Sequence, residues 1–296
     1  MTAQLARGVS RWVWLLLALA VASVAVAMLT RDTATLGDLV GAALSTGPLL
    51  AAAALVAVAP KRRLVALSAL GFAVVPTLQE IHLVFSRDIH DLLRMPQPTY
   101  ADLSMAVMAA LDVVRGFGWL FGLGAVLCLA LYIGTVRSHR GWWIVGIGLA
   151  LAAVQVVVNV ARLLPIWSMF GDAPPDSGFD PLQQLVSTIL GSLVLVAWAY
   201  LTAAAFDRGL KFLAVAGGLR LFESAIGLLA GAAIDAFPPS TSEGADTVNF
   251  LFVGFFFVAN LAFWAMLIVG ILRELPRDMA HAPATPGPAE VMVGAG

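Results

Sequence analysis

The stretch WWIVGIGLALAAVQVVVNVARLL, residues 142–164, decides the fold class of this chain. It is almost entirely apolar, with Asn159 and Arg162 near its end. An α-helix rises about 1.5 Å per residue, so about 20 apolar residues cross the roughly 30 Å hydrocarbon core of a bilayer. The stretch therefore predicts a transmembrane helix.

Apolar runs of similar length recur along the whole chain. The sequence is 60% hydrophobic and 12% charged, with a mean hydropathy of +0.93, whereas soluble domains carry about 25% charged residues. Membrane-spanning β-strands need only about 10 residues of alternating polarity, so the longer runs favour helices. We therefore predict an all-α integral membrane protein, an eight-helix transmembrane bundle. Its predicted spans are 12–29, 39–59, 64–85, 105–136, 142–164, 182–205, 212–234 and 250–272.

The positions of Lys and Arg give the predicted bundle an orientation. Cytoplasmic loops of membrane proteins are rich in these residues. With the spans above, only Arg31, Arg87 and Arg94 fall on the opposite side. Both termini are therefore predicted to be cytoplasmic, in a chain integral to the cell membrane. The basic residues on the cytoplasmic side are Arg7, Arg11, Lys61, Arg62, Arg63, Arg137, Arg140, Arg208, Lys211, Arg273 and Arg277.

The chain is predicted to form one domain and a tail. No polar stretch is long enough to build a soluble core, so residues 1–275 are expected to be a single transmembrane domain. Residues 276–296 mix Pro, Ala and Gly without periodicity. Such composition is typical of a disordered segment, here a cytoplasmic tail.

Two halves of the domain, residues 10–137 and 140–275, resemble each other weakly. SRWVWLLLALAVASVAV at 10–26 aligns with RGWWIVGIGLALAAVQV at 140–156, and LVGAAL at 39–44 aligns with LVSTIL at 185–190. A four-plus-four duplication would place both halves in the same orientation, related by an axis along the membrane normal. Apolar sequences also match by chance, so both interpretations stay open at this stage.

Two local features have alternative interpretations. A basic start, an apolar stretch and AVAM at 25–28 make the first span resemble a cleavable signal peptide, although its apolar run is long for one. Gly118 and Gly122 form a GxxxG pair, which indicates either packing inside the bundle or a homodimer interface. Cys128 is the only cysteine, so the chain forms no internal disulfide.

Charged side chains inside the predicted spans are balanced in sign. Each costs roughly 2.5–3.5 kcal/mol at the centre of a membrane helix, so each requires a partner or water. Three are acidic and three are basic, so they can pair without an imported ion. They are Glu80, Asp112, Glu223, Arg115, Arg162 and Arg220.

The polar residues fall at two predicted depths, measured along the chain from basic residues at the inner helix ends. None lies in the inner third, which predicts a polar cavity that opens outward and binds a substrate or a proton. Glu80, Arg115, Asn159 and Arg162 lie near the outer surface, and Arg220, Glu223 and Asn260 lie near the midplane.

Several of these residues also have a purely structural explanation. Arg220 and Glu223, like Asp112 and Arg115, are spaced i,i+3 and can pair on one helix face. Asp112 and Arg115 also lie in an overlong run whose start can stand outside the bilayer. Arg162 can extend its guanidinium to the outer interface.

Glu80 is harder to explain in this way. No basic residue lies three or four positions from it, so its partner is a group on another helix, water or a proton. Pro76, four residues earlier, loosens the helical turn beneath it. His82 is two positions away and points to a different side of the helix, so the two do not share a metal.

These patterns favour a transporter or permease with Glu80 in its outward-opening cavity. The main alternative is a non-catalytic accessory or assembly subunit, in which the charges only specify helix packing. A less favoured alternative is an intramembrane enzyme that uses Glu80 as a general acid or base. The sequence has no HExxH motif, cysteine cluster or phosphate-binding loop, so we expect no metal, cofactor or nucleic acid. The expected partners are the lipid bilayer and either a small substrate, another membrane subunit or a second copy.

Overall fold

The computed structural model describes residues 11–29, 46–59, 62–84, 118–170, 181–236 and 242–276. Within these ranges the chain forms eight α-helices and no β-strand, which confirms the prediction of an α-helical bundle. The helices are α1 Arg11–Leu29, α2 Gly47–Val58, α3 Arg63–Val84, α4 Gly118–Ile133, α5 His139–Phe170, α6 Pro181–Asp207, α7 Lys211–Ala236 and α8 Ser242–Arg273.

The described helices expose an apolar surface of the kind that membrane proteins have. Large apolar side chains lie on the outside, and Val21 and Leu229 are 71% and 67% exposed. Soluble proteins rarely expose extensive apolar surface, whereas lipid favours it. That all eight helices cross a membrane stays a prediction. In the described part of the chain, four helices are long and apolar enough to do so, over His139–Ala161, Leu185–Asp207, Lys211–Ala232 and Leu251–Arg273.

Several helix ends differ from the predicted spans. α4 ends at Ile133 rather than at 136, because Gly134 has a φ of 129° and leaves the helix. Thr46, inside the predicted span 39–59, is the N-cap residue before α2. α5 begins at His139 rather than at 142. α5 continues through Pro165 to Phe170, beyond the predicted end at 164, because a proline removes one backbone hydrogen bond and leaves the others. α8 begins at Ser242 rather than at 250. Residues 242–249 are too polar to be counted in an apolar span, but they continue the same helix, whose apolar stretch Leu251–Arg273 agrees with the prediction. The parts of predicted spans at 39–45 and 105–117 lie outside the described residues.

The contacts between helices repeat after every four helices. α1 packs against α2 and α3, α2 against α3, and α3 against α4; likewise α5 packs against α6 and α7, α6 against α7, and α7 against α8. The two halves meet through α4 with α6 and through α8 with α2, which also correspond under this shift. The six helices α2, α3, α4, α6, α7 and α8 thus form a closed ring in which each contacts the next. α1 packs on α2 and α3 of this ring, and α5 packs on the corresponding helices α6 and α7.

The tightest packing lies at one end of the bundle, which we call the turn end because the short turns 134–138 and 208–210 lie there. There α2, α4 and α6 end and α3, α5 and α7 begin. Fully buried apolar side chains fill the space between the helices, which closes this end of the bundle. They include Leu55, Val65, Leu129, Ile133, Leu201, Leu213, Leu267, Ile271 and Leu275.

The turn between α6 and α7 is short because of a glycine in the left-handed region. Gly209 has a φ of 70°, a conformation that glycine adopts without steric cost. Its N–H donates to the Phe206 carbonyl at 3.0 Å, and the Leu210 N–H donates to the Ala205 carbonyl at 2.9 Å. This pair of bonds is the Schellman motif, which satisfies carbonyls at a helix end.

Two carboxylates connect the elements at the turn end. Asp207 accepts hydrogen bonds from the backbone N–H groups of Arg137 and Ser138 at 2.6 and 2.8 Å, and also from Ser138 Oγ. Glu274 accepts bonds from the N–H groups of Phe212 and Leu213 at 3.0 and 3.2 Å. The first N–H groups of a helix have no partner within it, so Glu274 caps the start of α7.

Candidate functional site

A cavity of about 620 Å³ lies between α4, α5, α6, α7 and α8. Trp119, Trp198 and Phe256 contribute aromatic walls. The rest of its lining is unusually polar for a bundle whose buried side chains are mostly apolar. The polar lining residues are Gln155, Asn159, Ser187, Thr188, Arg220, Glu223 and Ser224.

α5, α6 and α7 approach one another closely between the cavity and the turn end. Gly148 of α5 lies against Ala199 of α6, and Gly217 of α7 lies against Thr202 of α6, with no room for a Cβ at either glycine. A buried apolar cluster of the three helices begins at these contacts and reaches the cavity, where Leu195 lines it, and we call this cluster the floor of the cavity. The buried members of this cluster are Ala152, Leu195, Ala199 and Leu221.

An ion pair on α7 lies just above this floor. Arg220 Nη1 is 2.5 Å from Glu223 Oε2, as their i,i+3 spacing allows, and the two side chains are 25% and 14% exposed. Ser224, one turn after Arg220, donates its hydroxyl to the Arg220 carbonyl at 2.9 Å. Both charged groups therefore reach the cavity while they satisfy each other.

Side chains of α8 hold the guanidinium of Arg220 from the other side. Its Cζ lies 4.1 Å from the ring centroid of Phe263 and 5.9 Å from that of Trp264. Nη2 of Arg220 also lies 3.5 Å from Asn260 Oδ1, the long limit of a hydrogen bond. A cation over an aromatic face gains roughly 0.5–2 kcal/mol, so α8 fixes the orientation of the arginine.

The same aromatic rings connect the site to the first half of the chain. Phe263 packs edge-on against Trp198 at 5.0 Å and against Trp264 at 4.6 Å between ring centroids. Trp264 in turn packs edge-on against Phe72 of α3 at 6.3 Å and lies beside Gly47 of α2. A movement of α2 or α3 against α8 would therefore displace rings that contact Arg220.

Four further polar side chains line the cavity. Gln155 and Asn159 are one turn apart on α5, and Ser187 and Thr188 are adjacent on α6. Among the described residues, none of these four side chains has a hydrogen-bond partner. Polar groups inside proteins are almost always hydrogen-bonded, so their partners are water, a ligand or groups outside the described residues.

The structure brings together four of the seven residues that the sequence suggested. Arg220, Glu223 and Asn159 line the cavity, and Asn260 contacts Arg220 from α8. The Arg220 and Glu223 side chains pair with each other, which was one of the structural explanations. The same pair also faces the cavity.

Three suggested residues cannot be placed in the site. Glu80 belongs to α3 and Arg162 to α5, but their side chains lie outside the described residues, as does the whole of Arg115. Pro76 lies buried within α3. Next to Pro76 in the same helix, the hydroxyl of Thr77 donates a hydrogen bond to the Ala73 carbonyl at 2.7 Å.

Sequence reasoning missed four of the polar lining residues. Gln155 precedes Asn159 by four positions, and Ser224 follows Arg220 by four, so one-turn spacing was an available signal. Ser187 and Thr188 carried no such signal, because hydroxyls are common in membrane helices.

The site can bind polar groups, orient them by hydrogen bonds and place them near a fixed guanidinium and carboxylate. The described residues contain no group of three or more His, Cys, Asp or Glu side chains that could hold a metal ion. Comparison of this chain with protein-family models, with curated proteins and with solved structures finds no match.

Proposed function

We propose that the chain is an eight-span membrane transporter that binds a small polar solute in the cavity surrounded by the five helices α4 to α8. The observation that carries this proposal is the set of polar side chains in the cavity, four of them without partners among the described residues. Inside a bilayer such groups are costly, and they mark substrate and ion pathways in membrane proteins.

The orientation of the cavity supports a role in exchange across the membrane. Exposed basic residues cluster at the turn end, including Arg62, Arg137, Arg140, Arg208 and Lys211. Basic loops face the cytoplasm, so the closed, apolar turn end would be the inner gate. The cavity, on the other side of its floor, would then face outward, as the sequence predicts.

The repeated helix contacts suggest how the inner gate opens. The two halves meet through α4 with α6 and through α8 with α2. In transporters built from repeats, rocking of one half against the other exposes a fixed site to each side in turn. Here such rocking would part the packed turn end. Glu80, two turns beyond Phe72 on α3, is the proposed proton-binding group of the first half.

A thiol placed in the cavity tests this proposal without knowledge of the substrate. Cys128 is the only native cysteine, so Cys128→Ser gives a background without thiols. Ser224→Cys then places one thiol in the cavity. Vesicles of both orientations are treated with a membrane-impermeant thiol reagent.

A transporter predicts that Ser224→Cys reacts from outside and, more slowly, from inside, because the site is exposed to each side in turn. Thr135→Cys, exposed at the turn end, should react from inside only. Ser68→Cys, buried against the Ala125 carbonyl, should stay unlabelled. Reaction of Ser224→Cys from one side alone would contradict transport and favour the accessory-subunit alternative.

A further inference from the structure

We infer that the cavity binds an uncharged ring compound that carries hydroxyl groups, the chemistry shared by a sugar and a nucleoside. This inference rests on the proposed function and names its substrate class. It follows from three properties of the lining: its charges cancel, its remaining polar groups both donate and accept hydrogen bonds, and its walls are aromatic.

The charges of the described lining are already neutralised. Arg220 and Glu223 are its only charged members, one of each sign, and they lie 2.5 Å apart. Phe263, Trp264 and Asn260 contact the guanidinium further. A ligand with a net charge would have to break this pair or stay uncompensated in a partly buried site. The described lining therefore disfavours ions.

The polar groups that remain match hydroxyl groups. The amides of Gln155 and Asn159 and the hydroxyls of Ser187 and Thr188 can each both donate and accept. In the part of the chain that the structure describes, these capacities are unused by other protein groups. A hydroxyl also donates and accepts, so several hydroxyls on one ligand can satisfy all four side chains at once.

The aromatic lining and the volume of the cavity suit a ring. Trp119, Trp198 and Phe256 line the cavity, and aromatic side chains are groups on which the apolar face of a sugar or a nucleobase stacks. The volume of about 620 Å³ falls within the roughly 300–1,000 Å³ of small-molecule sites. A compound of monosaccharide to nucleoside size therefore fits in this space and leaves room for water.

Paired probes that differ only in charge test this inference. The purified full chain in nanodiscs is titrated with glucose and glucose 6-phosphate, and with uridine and uridine monophosphate, and binding is followed by calorimetry. We expect one of the neutral probes to bind and its phosphate to bind at least about tenfold more weakly, because an unpaired charge is costly in the cavity. The two neutral probes distinguish a sugar from a nucleoside.

Asn159→Leu should weaken binding of the neutral probe about fivefold or more, since it removes hydrogen bonds to the ligand. Thr135→Ala, at the turn end, should leave binding unchanged. Equal or tighter binding of the phosphates, binding of no neutral probe, or unchanged binding by Asn159→Leu would overturn the inference. If Ser224→Cys is labelled from both sides while no neutral probe binds, transport stands and the substrate class is wrong. If a neutral probe binds while labelling is one-sided, the class stands and transport is wrong.

Discussion

The Arg220–Glu223 pair should show strong energetic coupling, because removal of one partner leaves the other charge half-buried in an apolar bundle. Loss of one member of a fully buried pair costs about 3–5 kcal/mol. These side chains are 25% and 14% exposed, and water in the cavity lowers that cost, so about 2–3 kcal/mol is expected for Arg220→Met. That variant loses the ion pair and the cation–π contacts with Phe263 and Trp264, and it leaves the Glu223 carboxylate without its partner.

Variants at the partner position should cost less. Glu223→Gln keeps the shape and an acceptor oxygen, so it should lose about 1–2 kcal/mol, the difference between a charged and a neutral hydrogen bond. The double variant Arg220→Met/Glu223→Leu leaves no stranded charge. It should therefore be no less stable than Arg220→Met alone. In the double-mutant cycle formed with the single variant Glu223→Leu, the coupling energy between the two side chains should be about 1–2 kcal/mol.

Reversible unfolding by SDS in mixed micelles, followed by tryptophan fluorescence, measures these free energies. Thr135→Ala is the control and should change stability by less than about 0.5 kcal/mol. If the two single variants simply add in the double variant, the guanidinium and the carboxylate do not depend on each other, and the reasoning about the site fails.

Three further predictions concern packing. Gly217→Val should destabilise the protein by about 1–3 kcal/mol, because the new side chain would collide with Thr202. Gly218→Val, which lies beside open space, should leave stability unchanged. Thermal unfolding in detergent compares the two variants. Asp207→Ala should cost about 1–2 kcal/mol through its lost hydrogen bonds at the turn end, and an unchanged SDS midpoint would contradict this. Because α1 packs on α2 and α3 and buries Ser23, the mature protein should keep its first predicted span. Mass spectrometry of the intact protein tests this, and a mass that lacks α1 would refute the prediction.

Much of the helical framework could be predicted because it follows from local sequence. Runs of apolar residues set the helices, and the predicted ends of α3, α6 and α7 differ from the observed ends by no more than two residues. The predicted span 250–272 agrees with the apolar stretch Leu251–Arg273. The helix itself begins earlier, because residues 242–249 continue it although they are too polar to be recognised by hydropathy. Local spacing also predicted the Arg220–Glu223 pair.

Contacts between distant residues could not be predicted in this way. Arg220 meets Phe263 and Asn260, 43 and 40 positions away, and only the packing of α7 on α8 brings them together. The lining role of Ser187 and Thr188 depends on how α5 and α7 pack against α6, with close contacts at Gly148 and Gly217 further down the helices. A one-dimensional pattern does not contain that packing.

The recurrence of helix contacts after four helices has a consequence for the origin of the chain. Under that shift, the contact of α4 with α6 becomes the contact of α8 with α2. In an ancestral four-helix protein, both would have been one and the same self-complementary surface, used twice in a symmetric pair of identical subunits. Under the duplication hypothesis, fusion of two such genes would place both copies of this surface in one chain.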